Sequence, residues 1–385
     1  MDPGHRVSDK PYQDILVVDL TTTIAGPYCT RLLADLGADV IKIETPQGDM
    51  MRTRPPIPDG YSRPFGQLNA GKRSVVLDLK QPEAVEALRK LIARADLLVE
   101  NFRPGVMARL GLDYATLAES NPRLIYCAIS GYGQTGPSAG APAYAPVVHA
   151  ASGYDLAHLA YQDDRDRPDW CGLFTADVLA GLHAFAAIGP ALRLRDRTGR
   201  GQFVDVSMFE AMLGLCLTEV QLAQAGDERP ARMFGPTKTA DGYVMAAVAS
   251  EKSFVALCHA AGRPELVNDP RFERYIDRRR NWHRFVEELE KWSATLSTAE
   301  CMAALDRHGV PASPYRTVAE ALRDPQLEHR GALATVRDPA GEYKVLNAPF
   351  RISGADTGAA SHAPGLGEHT REVLESLGIE LPPRA

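Results

Sequence analysis

Cationic, amide and aromatic side chains follow three short apolar runs of this sequence, each where a strand is predicted to end. Small residues fill Thr21–Pro27 after the first run, Lys80 follows the second, and Asn101-Phe102-Arg103 follow the third, with Arg109 two turns on. A helix that begins after Thr21–Pro27 would offer N–H groups to an anion. With cations for phosphate and Phe102 for stacking, the set fits a phosphorylated nucleotide. The alternative is that Lys80, Arg103 and Arg109 are solvated surface charges.

Asp177 is the carboxylate best placed for covalent chemistry. It ends an otherwise uncharged stretch from Cys171, at the predicted start of a helix over Val178–Leu194. There it is either an N-cap for the first N–H groups of the helix or a poorly hydrated nucleophile that the helix start keeps ionised. Gly181, one turn on, either leaves room for a ligand or permits a close contact between two helices. The residues alone leave both alternatives open.

Several common functional motifs are absent from the sequence. Thr21–Gly26 holds one glycine where a dinucleotide loop needs Gly-x-Gly-x-x-Gly, and there is no Walker A loop or Gly-x-Ser-x-Gly elbow. His149 and His183 lie in apolar runs, which favours hydrogen-bonded core histidines over catalytic ones. No His, Cys, Asp and Glu residues have the spacing of metal ligands, so we expect no metal.

Composition narrows the class of protein. The 385 residues are 45% hydrophobic and 24% charged with a net charge of −6, which predicts a folded globular protein and argues against a nucleic-acid partner. Six widely separated cysteines indicate a reducing compartment rather than a disulfide framework. Met1–Gln13 is polar, and no run reaches the ~20 apolar residues of a membrane span. We therefore expect a cytoplasmic enzyme with no membrane partner.

Strand and helix patterns alternate along the first 135 residues. The strands are predicted at Ile15–Leu20, Val40–Glu44, Ser74–Leu79, Leu97–Glu100 and Leu124–Ile129. This alternation indicates a mostly parallel α/β sheet, in which ligands bind beyond the carboxyl ends of the strands. The first helix is predicted over Tyr28–Asp35, and a long buried one over Met208–Gln224. We expect a large α/β domain in 1–225, a small α+β domain in 235–330, and a return to the large domain in 331–385.

Several motifs agree in order and spacing with one known family. The chain resembles the family III CoA-transferases, which include formyl-CoA:oxalate and carnitine CoA-transferases together with α-methylacyl-CoA racemases. The likeness rests on ILVVDLTTTIAGPYCTRLLADLGADVIKIE, LNAGKRSVVLDLK, DLLVENFRPGVMARLGL, GYGQTGP, TADVLAGLHAF and GRGQFVDVSMFEAML, and extends to DPRF and LGEHT. It implies a Rossmann-like parallel sheet in a large CoA-binding domain, a smaller α+β domain and an interlocked homodimer.

The resemblance also implies roles for individual residues. The nucleophilic aspartate of the family falls on Asp177, followed by Gly181 and His183 in the family's Asp-x-x-x-Gly-x-His pattern. Positions that contact CoA fall on Ile24, Ala25, Leu77, Lys80, Asn101, Phe102, Arg103, Arg109 and Tyr144. Most of these lie in the loops that the strand ends point to, which favours Asp177 as a nucleophile over an N-cap.

The chain departs from the best-known members at several positions. It has Ile24 in place of a glutamine, Thr45 in place of an arginine near the adenine, and Pro142 in place of a basic residue. The glycine-rich loop of formyl-CoA transferases has no counterpart between Arg232 and Tyr243. We therefore expect acids other than formate and oxalate. The racemases carry a catalytic histidine where this chain has Tyr144, which favours transfer over racemisation.

The expected reaction moves CoA between an acyl-CoA and a small carboxylic acid. An aspartyl anhydride and an aspartyl-CoA thioester form in turn on Asp177, with N–H groups of Gly131-Tyr132-Gly133 around the oxyanions. Coenzyme A enters as a co-substrate, and no metal or redox cofactor is expected. The alternatives are an α-methylacyl-CoA racemase that uses a base other than Tyr144, and an acyl-CoA-binding protein without chemistry.

Overall fold

The structure, a computed structural model, describes residues 10–162, 165–226 and 234–379. Contacts divide the chain into two compact units. The first holds the described residues of Met1–Leu156, Pro168–Leu217 and Gln326–Ala385, and the second those of Ala157–Arg167 and Thr218–Pro325. The predicted division into 1–225, 235–330 and 331–385 stays a prediction. The polar residues before Lys10 and the start of the Arg232–Tyr243 segment lie outside the described residues.

A six-stranded parallel sheet forms the centre of the first unit. Its strands are β1 (Leu16–Leu20), β2 (Asp39–Glu44), β3 (Arg73–Val76), β4 (Leu97–Glu100), β5 (Ile125–Ser130) and β6 (Gln202–Ser207). Their order in the sheet is β3-β2-β1-β4-β5-β6, the order of the doubly wound Rossmann sheet. The predicted α/β class with a parallel sheet is confirmed. Between β1 and β4 the strand order changes direction, and ligands of such sheets bind beyond the strand ends at that point.

Helices cover both faces of this sheet. The helices of the chain up to Leu215 are α1 (Ala25–Asp35), α2 (Arg63–Asn69), α3 (Pro82–Ile92), α4 (Val106–Arg109), α5 (Tyr114–Ser120), α6 (Ala145–Ala151), α7 (Tyr154–Ala160), α8 (Thr175–Thr198) and α9 (Met208–Leu215), of which α7 continues into the second unit. Alternate strand residues enter different cores: Val17 and Val99 pack with α1 and α8, whereas Val18 and Leu98 pack with α3. Most residues of β1, β2, β4 and β5 are buried, as in a parallel sheet with helices on both faces, although β1 and β2 carry the buried charged residues Asp19 and Lys42.

α8 is long and apolar enough, by length and composition, to cross a membrane, and among the described residues it alone meets that test. Core helices of folded domains meet the same test. α8 packs against α1, α9, β5 and β6, so its length and composition are weak grounds for a membrane span.

Several predicted boundaries are wrong, among them that of β3, which ends at Val76 rather than Leu79. α1 begins at Ala25 rather than Tyr28, because Gly26 and Pro27 occupy its first turn, where proline is tolerated. α8 begins at Thr175 rather than Val178. The helix predicted over Met208–Gln224 is interrupted at Cys216, whose ψ of 49° is not helical.

The second unit has its own sheet and core. Its elements are α10 (Leu217–Ala225), β7 (Thr237–Lys238), β8 (Tyr243–Ala246), α11 (Glu251–Ala260), α12 (Tyr275–Arg280), α13 (Trp282–Ser293), α14 (Thr298–Arg307), β9 (Ala312–Pro314) and α15 (Val318–Ala321). The three strands are antiparallel. Phe254, Phe272 and Phe285 are buried at the centre of this unit's core. This unit mixes helices with antiparallel strands, and the small α+β domain expected in 235–330 stays a prediction.

The last described elements belong mainly to the first unit. They are α16 (Pro325–His329), β10 (Leu333–Asp338), β11 (Gly341–Leu346) and α17 (Thr370–Ser376). β10 and β11 form a hairpin around Asp338-Pro339-Ala340-Gly341. The N–H of His369 donates to the carbonyl of Ser74 at 2.9 Å, and the N–H of Val76 donates to Thr370 Oγ1 at 2.9 Å. These bonds attach α17 to the edge strand β3.

Candidate active site

A cleft of about 250 Å³ lies beyond the carboxyl ends of β1, β4 and β5. Its walls come from the loop after β1, the residues after β4, the residues after β5 and the first turn of α8, which brings Asp177 to the cleft. A larger cavity of about 570 Å³ in the same unit, between α1 and the residues around β11, is lined by none of the predicted site residues. The smaller cleft is therefore the candidate active site.

Asp177 is a half-buried carboxylate within the first turn of α8. The N-cap of that helix is Phe174, which makes no side-chain capping bond, so Asp177 is not the N-cap. None of the described residues donates a hydrogen bond to its carboxylate, and burial raises its pKa to about 6. At neutral pH the group is therefore ionised but weakly solvated, as a nucleophilic carboxylate must be.

His149 fixes the start of α8. Its side chain is buried, and Nε2 accepts a hydrogen bond from the N–H of Ala176 at 3.0 Å. Nε2 is thus unprotonated, and burial lowers the pKa of the ring. The predicted core role is confirmed for His149. It is wrong for His183, which is exposed and bonds through Nδ1 to the carbonyl of Leu179 at 2.8 Å.

Gly181 allows α8 to lie directly against the start of α1. A Cβ at this position would stand 2.5 Å from the carbonyl oxygen of Ala25, which is closer than atoms can approach. The helix-contact alternative is therefore the one the structure supports. This close approach places Ala25 and Asp177 in the same cleft.

The loop after β1 is held in a strained conformation. Thr23 has a φ of +72°, a region that β-branched residues rarely adopt. Asn101 Oδ1 accepts from the N–H of Thr22 at 2.9 Å, its Nδ2 donates to the carbonyl of Thr22 at 2.9 Å, and Asp49 Oδ1 accepts from the N–H of Thr23 at 3.2 Å. Such strain persists only where surrounding contacts fix it. Asn101 therefore positions this loop with both of its amide atoms.

A buried network of charged residues lies beneath the loop. Lys72 Nζ donates to Asp19 Oδ2 at 2.9 Å, and Lys42 Nζ donates to the carbonyl of Thr21 at 2.8 Å and pairs with Asp49 at 2.9 Å. Burial alone would raise the pKa of Asp19, but the ammonium groups of Lys72 and Lys42 hold it well below its usual range. Burial lowers the pKa of Lys72 to about 8. The network fixes the base of the cleft.

The structure brings together six of the predicted site residues. Ala25, Asn101, Phe102, Arg103, Tyr144 and Asp177 line the cleft. The other four do not line it: Ile24 packs against Met51 and Phe65, Leu77 enters a core, and Lys80 and Arg109 are exposed. Their assignments to CoA stay predictions.

Thr22 and Thr23 of the predicted loop Thr21–Pro27 also line the cleft, together with Met50, Ser130 and Met208, which sequence reasoning missed. Asp49 and Lys42, which support it, were missed as well. A charged residue in the apolar strand of Val40–Glu44 is the one signal that pointed to Lys42. The described residues include no group of three or more His, Cys, Asp and Glu side chains that could hold a metal ion.

Comparison with known proteins identifies the family to which the chain belongs. The sequence profile described as CoA-transferase family III matches residues 12–370. The succinyl-CoA:mesaconate CoA-transferase of Haloarcula hispanica is 35% identical over 387 residues, which cover 95% of this chain and 96% of that protein. The acetyl-CoA:oxalate CoA-transferase of Acetobacter aceti is 38% identical over 356 residues, or 90% of each chain. A CAIB/BAIF family protein from Brucella suis has a similar structure, with a TM-score of 0.84, 35% identity, and coverage of 96% and 100% of the two chains.

Proposed function

The chain is an enzyme that belongs to CoA-transferase family III, and we propose that it moves CoA between an acyl-CoA and a free carboxylic acid through covalent intermediates on Asp177. One observation carries the proposal. The Asp177 carboxylate is half-buried in the cleft, has a pKa raised to about 6 by burial, and receives no hydrogen bond from a described residue. A carboxylate with so little solvation is a stronger nucleophile than one in water.

The first half-reaction transfers CoA to the enzyme. An Asp177 oxygen attacks the thioester carbonyl, the carbon–sulfur bond breaks, and CoA leaves as a thiolate, so that a mixed anhydride remains. The thiolate then attacks Cγ of Asp177 and displaces the donor acid as its carboxylate. The product is an aspartyl-CoA thioester, which keeps the free energy of the original thioester in covalent form.

The second half-reaction repeats these steps in reverse order. The acceptor carboxylate attacks Cγ of Asp177, displaces the thiolate and forms a new anhydride. The thiolate attacks the acceptor carbonyl, and the Asp177 carboxylate leaves. No proton is gained or lost over the cycle, so the chemistry requires no general base. This accords with His149, whose Nε2 is already bonded to the Ala176 N–H.

The remaining predicted residues serve CoA in this proposal. Arg103 is exposed at the edge of the cleft and Lys80 is exposed after β3, so both are free to meet phosphate groups. The relatives described above are named as transferases of succinyl-CoA, mesaconate and oxalate. The expectation of acids other than formate and oxalate stays a prediction.

We also propose that a second copy of the chain covers the outer face of α8, which would make the enzyme a homodimer. Val178 and Leu182, one turn apart on the same side of this helix, are 39% and 36% exposed, and Leu173 just before the helix is 75% exposed. Apolar side chains in such a row indicate an interface. Light scattering should give about twice the chain mass of 41.9 kDa, with a shift toward one chain in Leu182→Glu. A wild-type mass of one chain would contradict the dimer.

Replacement of Asp177 tests the proposed reaction. Asp177→Ala should lower the rate of acyl-CoA formation more than about 1,000-fold, because the attacking oxygen is lost, while CoA binding by calorimetry changes little. Asp14→Ala removes an exposed carboxylate and should leave the rate unchanged. Turnover of Asp177→Ala close to that of the wild type would contradict the proposal. Exchange of an α-proton in deuterium oxide without transfer would assign the racemase alternative instead.

A further inference from the structure

Ser130 is a buried polar side chain in the candidate active site without a hydrogen-bond partner. It is 6% exposed, and no described residue lies within hydrogen-bonding geometry of its Oγ. Buried side-chain atoms without partners are rare in folded proteins, and each requires an explanation. The others among the described residues are Gln134 Nε2, Arg195 Nε, Arg278 Nε, Tyr343 OH and Asp49 Oδ2, the last of which forms an ion pair with Lys42 at 2.9 Å. Of all these atoms, only Ser130 Oγ belongs to a residue of the cleft that contains Asp177.

The position of Ser130 in the sheet suits contact with a substrate. It is the last residue of β5, at the carboxyl end of a central strand, where ligands of this sheet bind. Its neighbours Ile129 and Gly131 also line the cleft. A serine hydroxyl turns about one bond, so Oγ can rotate toward a bound molecule without movement of the backbone.

Other buried serines of the same sheet have partners. Ser74 of β3 donates to Glu44 Oε1 at 2.6 Å and accepts from the N–H of Gly367 at 2.9 Å. Ser207, opposite Ser130 in the register of β5 and β6, accepts from the N–H of Glu210 at 3.2 Å. Structural roles therefore account for Ser74 and Ser207, but not for Ser130.

A nucleophilic role for Ser130 does not fit its surroundings. An attacking hydroxyl needs a base that accepts its proton, and no such bond to Ser130 exists among the described residues. The buried imidazole nearest in sequence, that of His149, already accepts from Ala176. What Ser130 can offer is its single O–H donor.

We propose that Ser130 is a further catalytic residue, whose hydroxyl donates a hydrogen bond to the carbonyl oxygen that becomes negative when Asp177 or the CoA thiolate attacks. This role rests on the proposed function. The bond is made to an oxygen whose charge grows in the transition state, so it accelerates the reaction more than it strengthens binding. No covalent bond to Ser130 forms, and its proton stays on Oγ.

The role predicts opposite effects on activity and stability. Ser130→Ala should lower kcat for CoA transfer about 100- to 1,000-fold, the range for loss of one oxyanion donor, with little change in CoA affinity. The same substitution removes a buried hydroxyl that has no partner in the free enzyme, so Tm should stay unchanged or rise. Ser74→Ala is the matched control, because it removes a bonded hydroxyl: Tm should fall while kcat stays near that of the wild type.

Steady-state kinetics and thermal unfolding of the wild type and both variants test whether the Ser130 hydroxyl stabilises the transition state. A lower kcat with undiminished Tm in Ser130→Ala supports the proposal. Wild-type kcat in Ser130→Ala, or a fall in Tm like that of Ser74→Ala, overturns it while the proposed function stands. Absence of transfer by the wild type across a panel of acyl-CoA and acid pairs would overturn the proposed function, and the role of Ser130 with it.

Discussion

Polar groups at the base of the cleft have hydrogen-bond or ion-pair partners, whereas those at its reactive surface have none among the described residues. Beneath the loop after β1, the carboxylate of Asp19 and the ammonium groups of Lys42 and Lys72 are fully buried, and each has partners within 3.0 Å. At the surface of the cleft, Asp177 and Ser130 are bonded to no described residue. The same kinds of group are thus paired where they support the fold and unpaired where substrate would bind.

This difference indicates that the paired base of the cleft stabilises the fold and that the unpaired groups of its surface destabilise it. Paired buried charges hold a strained loop in one conformation, since Thr23 keeps its positive φ only while neighbouring bonds fix it. Unpaired groups cost stability but remain available to a ligand. Enzymes commonly accept such costs at reactive sites. Changes in the two regions should therefore have opposite effects on stability.

The largest change in stability should come from removing one partner of the buried ion pairs beneath the loop. Lys72→Met removes an ammonium group that donates to Asp19 Oδ2 and to Thr30 Oγ1 at 2.7 Å, and it leaves a buried carboxylate short of its partner. Unfolding in urea should show a loss of about 3–5 kcal/mol, the usual cost of an uncompensated buried charge. Lys90→Met replaces an exposed lysine and should stay within about 0.5 kcal/mol of the wild type. Equal stability of the two variants would show that the network does not support the fold.

Much of the framework could be predicted from the sequence. The runs at Ile15–Leu20 and Leu97–Glu100 are short and mostly apolar with β-branched residues, which is typical of buried parallel strands. Parallel strands place their following loops at one edge of the sheet, which is why Ala25, Asn101, Phe102 and Arg103 were predicted to meet. The structure brings these four to one cleft.

The role of an individual side chain depends on contacts that the sequence does not reveal. Asn101 was predicted to contact CoA, yet both atoms of its amide are bonded to Thr22, 79 positions away. The roles of Lys42 and Lys72 depend on partners from other elements: Lys72 bonds to Asp19, 53 positions away, and Lys42 bonds to Asp49 and to the carbonyl of Thr21. No feature of the sequence distinguishes Ser130, because only the structure shows that its hydroxyl has no hydrogen-bond partner among the described residues.

A smaller change in stability, of the opposite sign, should come from removing the charge of the unpaired Asp177 carboxylate. The pKa of Asp177 rises from 3.8 to about 6 on folding because the carboxylate is buried. The folded state therefore binds the proton more tightly than the unfolded state does, and stability is lost as the pH rises from about 4 to about 7. The rise corresponds to roughly 3 kcal/mol, which partial exposure to solvent reduces to about 1 kcal/mol.

In this account, Asp177 is ionised and unpaired in the folded state, which lowers stability. The most direct test measures the free energy of unfolding in urea for the wild type and Asp177→Asn from about pH 4.5 to pH 7.5. The amide cannot ionise, so Asp177→Asn should be about 1 kcal/mol more stable than the wild type at pH 7.5, and this advantage should shrink toward pH 4.5. The variant should also fail to transfer CoA. An Asp177→Asn protein that is less stable than the wild type at pH 7.5 would show that the carboxylate is paired in the folded state, and would contradict the account.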